Sequence, residues 1–141
     1  MAYENSMGSV VQTFEAAADL SAKQYYLVKL DANGKVVVCA ATSDVPVGVL
    51  QNKPTSGQAA EVLVCGVSKV SSDAAIDEGK LLKTSADGQV AAVTPDLAID
   101  EGGSDTLTGI FAIGVAYTAS GGAGEIITAG INTLLPSVTF E

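Results

Sequence analysis

Cys39 and Cys65 are the strongest nucleophiles in this chain, and a thiol does covalent chemistry only once a neighbouring base has made it a thiolate. That base is usually histidine, and the 141 residues contain none. The same absence removes serine–histidine–acid catalysis. Each cysteine lies in a valine-rich run, VVVCAA and VLVCGV, where a thiol behaves as a small hydrophobe. A disulfide between the two is open at this level, and free buried thiols are the better reading. Asp96, Asp100, Glu101 and Asp105 cluster in TPDLAIDEGGSD. Acid–base work needs a carboxyl whose pKa is raised by apolar surroundings, and this Gly-rich stretch supplies few. Asp31-Ala32-Asn33-Gly34 opens like a calcium loop but lacks the third oxygen ligand and the closing bidentate glutamate. Its near-copy, Ser85-Ala86-Asp87-Gly88, replaces the first acid with serine. Both read as hairpin turns. Ser120-Gly121-Gly122-Ala123-Gly124 has the glycines of a phosphate cradle, but no lysine or helix start follows it. These residue types point away from an enzyme, and they assign no catalytic, cofactor-binding or metal-binding residue.

Charge narrows the partners. Sixteen acids stand against seven lysines, with no arginine, for a net charge of −9. Nucleic-acid affinity comes mainly from Lys and Arg on phosphates, so no nucleic-acid role is expected. No apolar run approaches the ~20 residues of a membrane-spanning helix, and no membrane partner is expected. MAYENSMGSVVQTF lacks a basic segment followed by an apolar core, so synthesis in a host cytoplasm without a signal peptide is the expectation. Hydrophobic residues at 48% against 16% charged argue for a folded chain with one real core rather than a disordered tail.

The elements that position these residues are organised around Val45–Val70, VPVGVLQNKPTSGQAAEVLVCGVSKV. Two valine-rich runs, Val45–Leu50 and Glu61–Val70, flank a polar connection, Gln51–Gln58, containing Pro54 and Gly57: strand, loop, strand. Phe111–Ile131 repeats this grammar. Gly48-Val49 corresponds to Gly114-Val115, Glu61-Val62-Leu63 to Glu125-Ile126-Ile127, and Gly66-Val67 to Gly130-Ile131. A hairpin precedes each copy. Tyr25–Leu30 and Lys35–Ala41 flank Asn33-Gly34, a strong turn signal. Tyr26–Val37 aligns without gaps on Lys80–Ala91, which places Asp87-Gly88 at the same point. Val10–Glu15 reads as a first short strand and Ala16–Lys23 as a turn. Thr94–Asp105 reads as a surface insertion, Thr106–Tyr117 as a cleanly alternating strand, and Asn132–Glu141 as one more strand bent or edged by Pro136. The alternation in Thr106–Tyr117 puts Leu107, Phe111, Ile113, Val115 and Tyr117 on one face. Ile110, Ala112 and Ala116, on the other, suggest close approach of another layer or a half-exposed surface. No helix-period segment exceeds about two turns. The class is all-β: a single compact β-sandwich or small β-barrel of two similar halves. The expected organisation is an extended N-terminal arm, 1–9, and one β domain, 10–141, with the repeat at 24–70 and 78–131.

VVQTFEAAADLSA, LVKLDANGKVVVCAATSDVPVGVLQN, GQAAEVLVCGV and EGKLLKTSADGQV, in this order and spacing, resemble the capsid cement or head decoration proteins of tailed bacteriophages. The resemblance covers roughly Val10–Val90. It implies a small β-rich structural protein, often trimeric, on the outer surface of the virion's icosahedral head at or near three-fold positions. It further implies binding after shell expansion, with the major capsid protein and further copies of itself as partners. Some relatives cross onto a neighbour with a terminal arm. On that reading the arm and the first connection carry the candidate contacts with the capsid or a neighbouring subunit: Tyr3, Val10, Val11, Phe14, Gln51, Asn52, Lys53, Pro54 and Thr55. The alternative is a carbohydrate- or receptor-binding β module on the virion, for which Tyr3, Tyr25, Tyr26 and Tyr117 are the few aromatic platforms.

Overall fold

The computed structural model describes Ala2, residues 5–93 and residues 111–132. Tyr3, the Thr94–Asp105 insertion, residues 106–110 and the C-terminal strand candidate beyond Asn132 lie outside these. Over the described residues the chain is all-β, with nine strands: β1 (Asn5–Glu15), β2 (Leu27–Leu30), β3 (Val36–Val38), β4 (Gly48–Leu50), β5 (Ala59–Ser71), β6 (Leu81–Thr84), β7 (Val90–Ala92), β8 (Gly114–Ala116) and β9 (Ile126–Ile131). They form one sheet in the order β3-β2-β4-β5-β9-β8-β6-β7, with β1 also on β5. Val67 pairs with Asn5 of β1 and with Gly130 of β9, so these two strands take opposite edges of β5. The sheet curls until its distant parts meet: the Leu27 amide of β2 donates to the carbonyl of Gly88, in the β6–β7 turn, at 2.7 Å.

Turn chemistry sets both hairpins. The Asp31 carboxylate accepts the amides of Asn33 at 2.8 Å and Lys35 at 2.9 Å. Gly34 and Gly88 take φ of 74° and 86°, a region that side-chain-bearing residues adopt only at a cost.

The two halves then repeat one set of backbone bonds. Tyr25 N–H to Leu50 O, 2.7 Å, recurs as Gly79 N–H to Ala116 O, 2.8 Å. Leu20 N–H to Pro54 O recurs as Ile76 N–H to Ser120 O, and Ala17 N–H to Val36 O as Asp73 N–H to Val90 O. Ala16 N–H to Gln58 O recurs as Ser72 N–H to Glu125 O. By this pattern the end of β1 is to β5 what the end of β5 is to β9. The pairing also corrects the strand correspondence read from sequence. Val49 pairs with Leu63 and Val115 with Gly130, so Leu63 matches Gly130, not Ile127. The Gly-rich connection of the second half shifts the strand after it, and likeness of side chains conceals that shift.

The core is built from both halves. Leu27, Cys39, Val49, Leu63 and Val70 pack with Ile76, Leu82, Val90, Ile113, Ile127 and Ile131. A second cluster, Ala16, Leu20, Val28, Val36, Leu50, Ala60 and Val62, lies under β1 and the first hairpin. Each fully buried Leu or Ile stabilises by about 1.5–3 kcal/mol. Of the stretch Thr106–Tyr117, residues 111–117 are described and the strand is Gly114–Ala116. On the large-residue face Ile113 is buried and Phe111 and Tyr117 are exposed, while Gly114 and Ala116 are buried. Small residues are required there because β8 presses on β9. A Cβ on Gly114 would overlap the carbonyl oxygen of Gly130, and one on Gly48 that of Leu63.

Gly48→Ala and Gly114→Ala are therefore expected to destabilise by about 1–3 kcal/mol or more through forced backbone displacement. Gly34→Ala, where a Cβ meets nothing within 4 Å, carries only the left-handed backbone cost of about 1–2 kcal/mol. Urea denaturation of the three variants reads the order directly.

Candidate docking surface

β1 is eleven residues long and, among the described residues, pairs with β5. The regular pairing runs from Val11↔Leu63 to Glu15↔Ala59, and the register slips on either side of Val10. Strict alternation buries one of two adjacent valines. Here both lie open, Val10 at 45% and Val11 at 48% exposure, because the register slips between them and breaks the alternation. Phe14 is half-buried against the second core cluster. From Asn5 to Phe14 the strand carries no charge, in a chain of net charge −9.

The first connection folds onto the end of this strand. Ala16 donates to Gln58 O, Gly57 to Ala16 O and Leu20 to Pro54 O, each at 2.8–2.9 Å. Its candidate residues divide by what they touch. The Gln51 side chain donates to Val49 O and Ser68 Oγ. Asn52 donates to Ala59 O and accepts the Glu61 amide. Pro54 is buried. These three hold the loop. Lys53 and Thr55 are exposed. The structure thus brings the connection to the Glu15–Ala17 end of β1, while Val11 lies roughly 17 Å away along the strand at about 3.3 Å per residue.

Two lysines sit over two tyrosines. Lys23 Nζ is 4.5 Å from the Tyr26 ring centroid and Lys69 Nζ 5.8 Å from that of Tyr25, so one face of each ring is occupied by a cation. Tyr25 holds φ of 68° where the second half has Gly79 at 77°. A bulky residue keeps this backbone only because its neighbours impose it.

Asp44 anchors the connection after β3. It accepts Lys29 Nζ at 2.7 Å and the amides of Ala40 and Ala41 at 2.7 and 3.0 Å. The Lys29 hydrogen bond and then the Ala40 amide hold its pKa below the ordinary value of 3.8. Lys35 pairs with Glu15 of β1 at 2.6 Å. Cys39 is buried and free, its thiol pushed up to about 11, chiefly by desolvation; Cys65 is free and half-buried. A thiol that stays neutral through the physiological range is a packing group. Among the described residues no three His, Cys, Asp or Glu side chains converge as a metal site. Sequence reading singled out neither Leu30 nor Val45, both exposed; aligning Leu30 with the more polar Thr84 of the second half was the available signal.

No protein-family profile matches the chain, and no curated protein matches it. Five chains of solved structures do. One is the N base of the head fiber gp8.5 of bacteriophage phi29, similar with a TM-score of 0.59 and 19% identity over 88% of this chain and 94% of that one. The likeness is one of fold.

Two measurements check the site's electrostatics. Native protein is expected to alkylate at Cys65 and to spare Cys39 at pH 8, with both thiols reacting after unfolding; intact-mass spectrometry counts them. Because Asp44 is held below 3.8 when folded, the unfolded chain takes up its proton first on acidification. Its stabilisation is complete above that value and fades as pH falls through it. Asp44→Asn should lower stability at pH 7 and flatten the acid limb of a stability–pH curve.

Proposed function

We propose that this protein is a structural virion component that binds the outer surface of a phage head and cements the expanded icosahedral shell. Its partners on this reading are the major capsid protein and further copies of itself, as a homotrimer at three-fold or quasi-three-fold positions. The observation that carries the reading is a fold similar, across 88% of the chain, to the base of a phage head fiber. The order and spacing of segments that resemble head decoration proteins support it independently.

The physical requirements of such a role match the chain. A high net negative charge keeps many copies soluble and off polyanions until a shell site exists. Three subunits bound together turn weak individual contacts into tight binding, since the second and third engage at high effective concentration. A protein that binds only the expanded shell stabilises it by mass action. The uncharged face of β1, with Val10 and Val11, is the contact surface. Of the arm read from sequence over 1–9, Asn5–Ser9 belong to β1, and Tyr3 before them is proposed as a further contact. Lys53 and Thr55 extend it at the far end. Gln51, Asn52 and Pro54 hold that end in shape.

Co-sedimentation with expanded and unexpanded heads of the cognate phage tests this. Saturation on expanded heads alone, at a multiple of the three-fold sites, is the expected outcome. Equal binding to both removes the link to maturation, and binding to neither overturns the head-binding reading. Deleting Met1–Ser9, or replacing Val11 with Glu, should weaken head binding by roughly tenfold or more, the loss of about 1.4 kcal/mol. Circular dichroism is unchanged for Val11→Glu, and the deletion keeps the rungs from Val11↔Leu63 to Glu15↔Ala59.

A further inference from the structure

The two halves repeat the same backbone bonds, yet their hairpin turns meet different fates. The second turn, Ser85–Gln89, is docked on the first half. Gly88 O accepts the Leu27 amide at 2.7 Å. A Cβ on Gly88 would overlap Val38 and sit 3.1 Å from Leu27 O and 3.2 Å from Cys39 O. Thr84, at the base of this turn, is 0% exposed, its hydroxyl donating to Ser85 O at 2.9 Å. Among the described residues the first turn has no such seat. A Cβ on Gly34 meets nothing within 4 Å, and Leu30, the counterpart of Thr84, is 44% exposed.

The seat itself also occurs twice. In the first half it is Leu27, Val38 and Cys39. The matching pairings, Val28↔Val38 with Leu82↔Ala92, and the matching bonds, Cys39 N–H to Leu27 O with Val93 N–H to Leu81 O, identify Leu81, Ala92 and Val93 as its counterpart. All three are half-buried. One end of the molecule presents a turn without a seat, and the other a seat that receives neither described turn.

We infer that the first hairpin turn, Leu30–Lys35, docks on the Leu81–Ala92–Val93 seat of a second copy of this chain, a head-to-tail contact that reuses the interlock joining the two halves. The side chains at the two ends fit one another better than either fits its internal counterpart. Leu30 is larger than Thr84 where Ala92 is smaller than Val38, so volume moves from seat to turn and the sum is conserved. Charge changes in step. Asp87 lies in the docked turn, next to the Gly88 whose carbonyl accepts the Leu27 amide, and Lys23 precedes β2. The corresponding residues are Asn33 on the free turn and Asp77 before β6. An amide faces the carboxylate there, and a like-charge clash is avoided. A heterologous contact closes into a ring or grows into a filament. Here it closes with three copies, which rests on the trimer proposed above, while the docking itself does not.

Light scattering on the full chain tests the contact without any phage head, so its failure and that of head binding are separate results. The wild type is expected at three times the 14.1 kDa of the chain, and Leu30→Glu at the single-chain mass with unchanged circular dichroism. Asn33→Asp should weaken assembly about tenfold or more by setting two carboxylates face to face, and Asn33→Asp with Asp77→Lys should restore it. Asn33 and Asp77 are both exposed, so neither change threatens folding. A wild-type monomer at the highest soluble concentration, a Leu30→Glu chain that keeps the wild-type mass, or an Asn33→Asp defect that Asp77→Lys does not relieve would each overturn the docking.

Discussion

Thirteen residues of β5 carry hydrogen bonds to three strands: β1 along one edge, and β4 and then β9 along the other. Buried backbone amides and carbonyls must be paired, and β5 satisfies this for both halves at once. Its first part closes the hairpin-and-strand unit that begins at β1; its second part opens the unit that ends at β9. Neither half is complete without it. The other constraints follow from how closely its neighbours approach. β4 reaches β5 only because position 48 is glycine, and β8 reaches β9 only because position 114 is glycine.

Much of this was legible in the residues. Asn33-Gly34 and Asp87-Gly88 announce their turns through the positive φ that glycine accepts, and the valine-rich runs around Gln51–Gln58 announce strands. The double use of β5 was not legible. Val10–Glu15 and Gly66–Ser71 share no side-chain pattern, and their equivalence lies in backbone bonds such as Ala16 to Gln58 and Ser72 to Glu125. The candidate surface was legible in part. The segment around Val10 was readable as a contact strand, but alternation cannot tell that both valines stay exposed, since that depends on the register slip between them. Within the connection, the hydrogen bonds of Gln51 and Asn52 could not be read from a polar loop.

An exposed, uncharged edge strand is a hazard that folded proteins usually blunt with lysine, proline or a short length. β1 has none of these between Asn5 and Phe14, and its only irregularity is the slipped register around Val10. The acidic charge elsewhere lowers the chance of indiscriminate pairing by keeping copies apart. A surface of this kind is tolerable in a protein held by a specific partner for most of its life.

The antiparallel register of β1 on β5 also has a mechanical side. Pull on the N-terminus along the strand axis and the rungs from Val11↔Leu63 to Glu15↔Ala59 are loaded together, in shear, so that all must give way in one event. Pull it sideways and they open singly, as a zipper does. The same strand is a tether against tension in the plane of a surface and a release tab against force normal to it, and the direction of the load decides which.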